Sequence, residues 1–160
     1  MSGLHEFSVH VVWTGGGTDG TTSYNSYSRD HEVTIDGKPT LLASADPAFR
    51  GDAGRYSPED LFVASLSQCH MLWALQMAVR AGVVVLGYSD RASATMRIES
   101  AGAGQFTEVV LHPQLTVLEP VDPATVQQIH DDAHAHCFIA RSVNFGVRIA
   151  PLTTQLATTQ

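Results

Sequence analysis

The chain has 160 residues, 44% of them hydrophobic and 16% charged, which suits one folded domain with a buried core and not a disordered segment. Sixteen acidic against nine basic residues give a net charge of −7 without a basic cluster or stripe, which argues against nucleic acid and anionic membrane as partners. Met1–Glu6 has no basic stretch leading into an apolar one, so the expectation is a cytoplasmic protein without a signal peptide.

In chain order, Phe7, Val9, Val11 and Trp13 alternate with polar residues and predict a strand over Leu4–Trp13. Thr14–Gly20 reads as a glycine-rich connection and not a phosphate loop, because no GK[ST] follows it. Ser23–Ile35 predicts strand-like segments closing at the Asp36-Gly37 turn; Leu41–Tyr56 has no periodicity, and Asp46–Asp52 within it reads as an ordered loop. Ser57-Pro58-Glu59 combines an N-cap serine, a proline in the first helical position and first-turn acids. It predicts a helix running to about Ala81 and stopped by Gly82. Leu61–Val79 has the length of a membrane span, but Ser65, Ser67, Gln68, Cys69, His70 and Gln76 interrupt it. The expectation is a helix buried nearly all round, in a protein or dimer interior.

Val83 to about Met96 and Thr107–Leu118 predict an antiparallel hairpin turning at Ala101–Gly104. A second helix opens at Pro120–Pro123 and runs to about Cys137 or Arg141. Val143–Ile149 predicts a short strand. The order β-β-α-β-β-α-β gives one α+β domain over residues 1–151, with 152–160 as a frayed tail.

Two cysteines are present, Cys69 in the first helix and Cys137 at the end of the second. In the cytoplasm a lasting structural disulfide is disfavoured while a transient catalytic one is allowed. The pattern Ser57-Pro58-Glu59-Asp60-Leu61-Phe62-x-Ala64-Ser65-x-x-x-Cys69, with a second cysteine closing a second helix, resembles the OsmC/Ohr superfamily of thiol peroxidases. The resemblance extends from the first strand to about Pro151. It implies antiparallel sheets wrapped around two long central helices in an intertwined homodimer. It further implies that Cys69 attacks an organic hydroperoxide, that Cys137 resolves the sulfenic acid as a disulfide, and that Glu59 and an arginine complete the site. No bound cofactor or metal is implied, only an external dithiol reductant of lipoyl or other type. Arg50, about ten residues before the glutamate, is the favoured arginine and Arg29 the alternative, since the early glycine turn holds Gly17-Thr18-Asp19 where some members carry arginine. The usual Cys-Pro-Val-Ser is here Cys137-Phe138-Ile139-Ala140.

Residue chemistry supports parts of this independently. Peroxide cleavage needs a thiolate, and Cys69 lies too deep in its helix for the N-terminal dipole to act, so a nearby guanidinium is required. Glu59 and Cys69 are ten residues apart, roughly 15 Å along one helix, so a glutamate serving this thiol comes most simply from a second subunit. Cys137, near a helix C-terminus, meets the negative dipole end, which disfavours its thiolate. Two alternatives stand beside this reading. One is zinc held by Cys69, His70, His130, His134, His136 or Cys137; the other is a non-catalytic carrier or ligand-binding dimer on the same fold.

Overall fold

The computed structural model describes residues 3–100, 102–152 and 154–157, so Ala101 of the predicted turn and residues 153 and 158–160 of the predicted tail lie outside the described residues. The chain divides into two compact units, Met1–Phe62 and Val63–Gln160.

In the first unit β1 (His10–Trp13), β2 (His31–Thr34) and β3 (Leu41–Ala43) form an antiparallel sheet in that order. The strand predicted from Leu4 is shorter than its alternation, because only His10–Trp13 finds partners on β2. Between β1 and β2 the chain makes turns rather than the predicted strand from Ser23. Ser28 N–H donates to the Gly15 carbonyl at 2.9 Å, and a Cβ on Gly15 would run into the Ser28 backbone, so that close approach requires glycine. Leu41–Ala43, without periodicity in the sequence, is strand β3, and the predicted loop Asp46–Asp52 contains a 3-10 turn (Pro47–Phe49). Asp46 caps that turn by accepting the Ala48 N–H at 2.7 Å.

Helix α1 spans Pro58–Arg80, its first residues counted with the first unit and the remainder with the second. Its start follows from a reciprocal cap. Ser57 Oγ accepts the Asp60 N–H at 3.1 Å, while Asp60 Oδ2 accepts the Ser57 N–H at 2.9 Å. Gly82, at φ 71°, ends it. By length and composition alone α1 could cross a membrane. Its interior is one stripe, Leu66, His70, Ala74, Met77 and Ala78, and the opposite side leaves Leu72 61% and Val79 77% exposed. Within one chain it is therefore not buried all round; three- and four-residue spacing covers one face only.

The second unit holds two three-stranded sheets. In one, β4 (Val85–Asp90), β7 (Pro113–Val117) and β9 (Gln155–Leu156) lie in that order; in the other, β5 (Ser93–Ile98), β6 (Gly104–Leu111) and β8 (Gly146–Ile149). The predicted hairpin is corrected in one respect. Val83–Met96 is two strands, and while β5 pairs with β6 across the turn, β4 pairs with β7 in the other sheet. The sheets are mixed rather than antiparallel throughout, since β6–β8 and β7–β9 are parallel. Gln155–Leu156 thus adds a short strand within the predicted tail.

Helix α2 (Pro123–His136) is 14 residues long, shorter than the predicted second long helix. Cys137 leaves helical geometry at φ −65°, ψ 111°. Asp122 caps its start by accepting the Thr125 N–H at 3.3 Å. Ile129 and Ala133 pack with Ala74, Met77 and Ala78 of α1 in one buried cluster.

Candidate functional site

The first unit contains a cavity of about 440 Å³ lined by Trp13, Tyr27, Arg29, His31, Pro58 and Glu59 among others. Arg29 is fixed in it from several sides. Its guanidinium lies 4.3 and 4.1 Å from the ring centroids of Tyr24 and Tyr27, and it donates to the carbonyls of Tyr27 at 2.6 Å and Tyr24 at 2.8 Å. A planar cation stacked on aromatic faces is held in one orientation with donors still to offer. Trp13 braces the same corner, its ring 5.7 Å edge-on from Tyr27 and its indole N–H donating to the Ser28 carbonyl at 2.9 Å. Glu59 Oε2 is buried with no hydrogen-bond partner among the described residues. A carboxylate oxygen in that state is a strong acceptor awaiting a donor.

Arg50 sits elsewhere on the same unit. It ends the 3-10 turn in left-handed backbone geometry at φ 67°, is exposed, and brings its guanidinium 5.9 Å from the Tyr24 ring. Tyr24 is therefore common to both candidate arginines, and Arg29 is the one that shares the cavity lining with Glu59.

The second unit holds both thiols. Cys69 is partly exposed on α1; Cys137 is 1% exposed beyond the end of α2; neither is in a disulfide. The two thiols share a hydrogen bond, and that bond together with burial pushes Cys137 up to about 11. Burial is the larger cause. The N–H groups of Ala140, 3.4 Å from the sulfur, and Ile139 pull the other way. The direction is the one expected from the helix end, with desolvation as the largest cause. Trp73 packs on the two residues that flank Cys137 in sequence, its ring 5.5 Å edge-on from Phe138 and 5.0 Å from His136.

Sequence reasoning named His70 and His130 only as candidate zinc ligands, not as a pair hydrogen-bonded to each other. His70 Nε2 and His130 Nδ1 are 3.0 Å apart, their rings stacked at 5.3 Å and 14°, and each residue is 1% exposed. Burial, with its histidine neighbours, holds His70 down at about 3, and burial lowers His130 likewise, so both rings are neutral near pH 7. One turn before His70, Ser67 Oγ donates to Asp90 Oδ2 at 2.6 Å, and Asp90 Oδ1 accepts the His112 N–H at 2.7 Å, tying α1 to β4. The 60 residues between the two histidines hide their pairing from any local pattern; the signal available was the i, i+7 spacing of His130 and Cys137. Among the described residues no group of three or more His, Cys, Asp or Glu is arranged to hold a metal ion, which leaves the zinc alternative without a site.

Comparison with known proteins follows the same outline. The chain is 34% identical to an OsmC-like protein of unknown function from Vibrio cholerae O1 biovar eltor, with a TM-score of 0.83 over 93% of this chain and 100% of that one. It shares the fold of an organic hydroperoxide resistance protein from Elizabethkingia anophelis (TM-score 0.70, 19% identity, 98% of this chain and 100% of that one). It likewise shares the fold of an OsmC-like protein from Mycoplasma pneumoniae (TM-score 0.72, 12% identity, 94% and 98%). No curated protein matches it. The family model described as OsmC-like protein covers residues 51–151, a stretch that takes in Glu59, both cysteines, both helices and strands β4 to β8. The chain belongs to the OsmC-like protein family.

Proposed function

We propose that the protein is a cytoplasmic cysteine peroxidase that reduces organic hydroperoxides, working as a homodimer and recycled by an external dithiol of lipoyl or other type. The observation that carries this reading is the pair of free thiols sharing a hydrogen bond, one partly exposed and the other buried. Cys137, pushed up to about 11, is a thiol at neutral pH and a poor first nucleophile, which leaves Cys69 for the attack. The Cys69 thiolate attacks the terminal oxygen of ROOH. The O–O bond breaks, the alkoxide leaves and is protonated to ROH, and the sulfur is oxidised to sulfenic acid. The Cys137 sulfur then attacks the Cys69 sulfur, water leaves, and a disulfide forms. A dithiol reduces that disulfide by exchange and becomes a disulfide itself.

The charge chemistry falls to Glu59 and an arginine, Arg29 or Arg50, which would orient the peroxide and stabilise the thiolate. Glu59 and Cys69 share one unbroken helix ten residues apart, so Glu59 serves the Cys69 of a partner subunit in this reading. The exposed apolar side of α1, with Leu72 and Val79, is consistent with a covered face in such a dimer.

Incubation with cumene hydroperoxide, followed by intact mass and thiol titration, tests the proposal. Wild type should lose two thiols and gain one disulfide. Cys69→Ser should consume no peroxide, and Cys137→Ser should turn over once and stop as a sulfenic or over-oxidised acid. A ligand-binding or carrier dimer would leave both thiols intact in every case.

A further inference from the structure

The contact between α1 and α2 is made largely of Ala74, Met77 and Ala78 against Ile129 and Ala133. Such a surface is attractive but not directional, and sliding by one residue costs it little contact area. A disulfide is less forgiving. Its Cβ atoms must lie about 3.5–4.5 Å apart, so a slip of one helical rise, about 1.5 Å, is enough to prevent closure.

The His70–His130 hydrogen bond supplies the missing direction. His70 adjoins Cys69, and His130 lies seven residues before Cys137, two turns back on nearly the same face of α2. The Ser67–Asp90 bond anchors α1 to β4, so the histidine bond sets the position of α2 against a fixed helix. One ring donates its N–H and the other accepts, and in a dry interior that bond has one good geometry. Buried polar pairs of this kind are the best-attested means of fixing helix register. The remaining ring nitrogens, His70 Nδ1 and His130 Nε2, are buried with no partner among the described residues, so the pair carries a cost that core packing alone does not explain.

We propose that His70 and His130 are positioning residues for the resolving step, holding Cys137 against Cys69 so that the disulfide closes. The inference rests on the peroxidase reading for its physiological use, but the thiol geometry can be tested without peroxide. The full-length protein is equilibrated with reduced and oxidised dithiothreitol, so that two protein thiols are oxidised as one dithiothreitol disulfide is reduced, and the fraction of Cys69–Cys137 disulfide is read by mass after alkylation. The effective concentration of the thiol pair should fall at least tenfold in His130→Leu, about 30 mV for this two-electron couple. His130→Asn, whose amide falls where Nδ1 lies, should stay within about twofold of wild type, a rescue that simple destabilisation would not produce.

His130→Gln keeps volume and polarity but moves the amide one bond outward. It should lose as much as His130→Leu and carries the test if the leucine variant does not fold. With cumene hydroperoxide, loss of the first thiol should keep its wild-type rate in these variants while the dimedone-trappable sulfenic acid persists. A folded His130→Leu or His130→Gln with wild-type effective concentration overturns the proposal, as does a wild type that forms no disulfide. A wild type that forms the disulfide with dithiothreitol but consumes no hydroperoxide overturns the peroxidase reading and leaves the positioning role standing.

Discussion

The two compact units differ in the side-chain chemistry they carry. The first contains Arg29, Arg50 and Glu59 and no cysteine; Arg29 is held by tyrosine rings and carbonyls at the wall of a cavity. The second contains both thiols and the neutral histidine pair, and what moves Cys137 is burial and hydrogen bonding, with no cation among the causes. A thiolate needs positive charge and a disulfide needs a fixed neighbour, and these demands pull in opposite directions. A cation near both sulfurs would ionise the resolving thiol too, while a dry site for both would leave neither reactive.

The sharpest way to break that comparison is to mix subunits. Glu59→Ala and Cys69→Ser homodimers should each be nearly inactive under the dimer proposal. Refolded together in equal amounts they should regain about a quarter of wild-type activity, because half the molecules are heterodimers with one intact site each. No recovery, with heterodimers confirmed by native mass, would mean that the site lies within one chain or that Glu59 is only a helix-end acid.

A second effect concerns substrate. Covering about 100 Å² of phenyl and methyl surface in an aromatic-lined cavity is worth about 2.5 kcal/mol, so kcat/KM for cumene hydroperoxide should exceed that for hydrogen peroxide by roughly 70-fold. Equal values would mean that the Trp13–Tyr27 cavity does not take the substrate.

The two arginines provide a smaller contrast. Arg29 shares the cavity lining with Glu59 whereas Arg50 is exposed at the end of its turn. Arg29→Ala should cost at least about tenfold in kcat/KM, the worth of one charge-assisted hydrogen bond, and more than Arg50→Ala. The reverse order would assign the guanidinium to Arg50.

In the second unit the corresponding probe is acid. The folded-state value for His70 is about 3 against 6.5 for an unhindered imidazole, so between those values the unfolded chain binds a proton that the folded chain does not. Stability should therefore fall as pH drops through that window, by about 1.4 kcal/mol per pH unit from His70, with His130 shifted in the same direction. Urea unfolding of wild type and His70→Gln from pH 7.5 to 4.5 measures this, and the difference between the two curves isolates the histidine from the carboxylates. Parallel curves would mean that the imidazole is hydrated. The smallest effect is local: Ser57→Ala removes one side of the α1 cap and should cost about 1 kcal/mol in the same assay.

The legible parts of this chain were the ones decided locally. The predicted α1, Ser57 to about Ala81, differs from the observed Pro58–Arg80 by a residue, because a cap and a stop glycine act on their own neighbours. Alternation over Val83–Met96 announced extended chain but not its division, since a period of two is the same whichever sheet a strand joins. The two-residue strand Gln155–Leu156 carries no pattern of its own and exists because β7 offers an unpaired edge. At the site, Glu59, Cys69 and Cys137 stood out by motif, whereas the clamp on Arg29 depends on two tyrosines whose rings face it only after the β1–β2 connection has turned.

By itself the sequence determined where the helices start, which residue types could do sulfur chemistry, and that Glu59 and Cys69 lie on one helix, because caps, composition and helical rise are properties of contiguous residues. Only the tertiary structure decided which arginine meets the glutamate's cavity, that Cys137 is held as a thiol by burial, and that His70 finds His130 across 60 residues. Each of these rests on desolvation and on contacts between distant segments, and neither exists until the elements have packed.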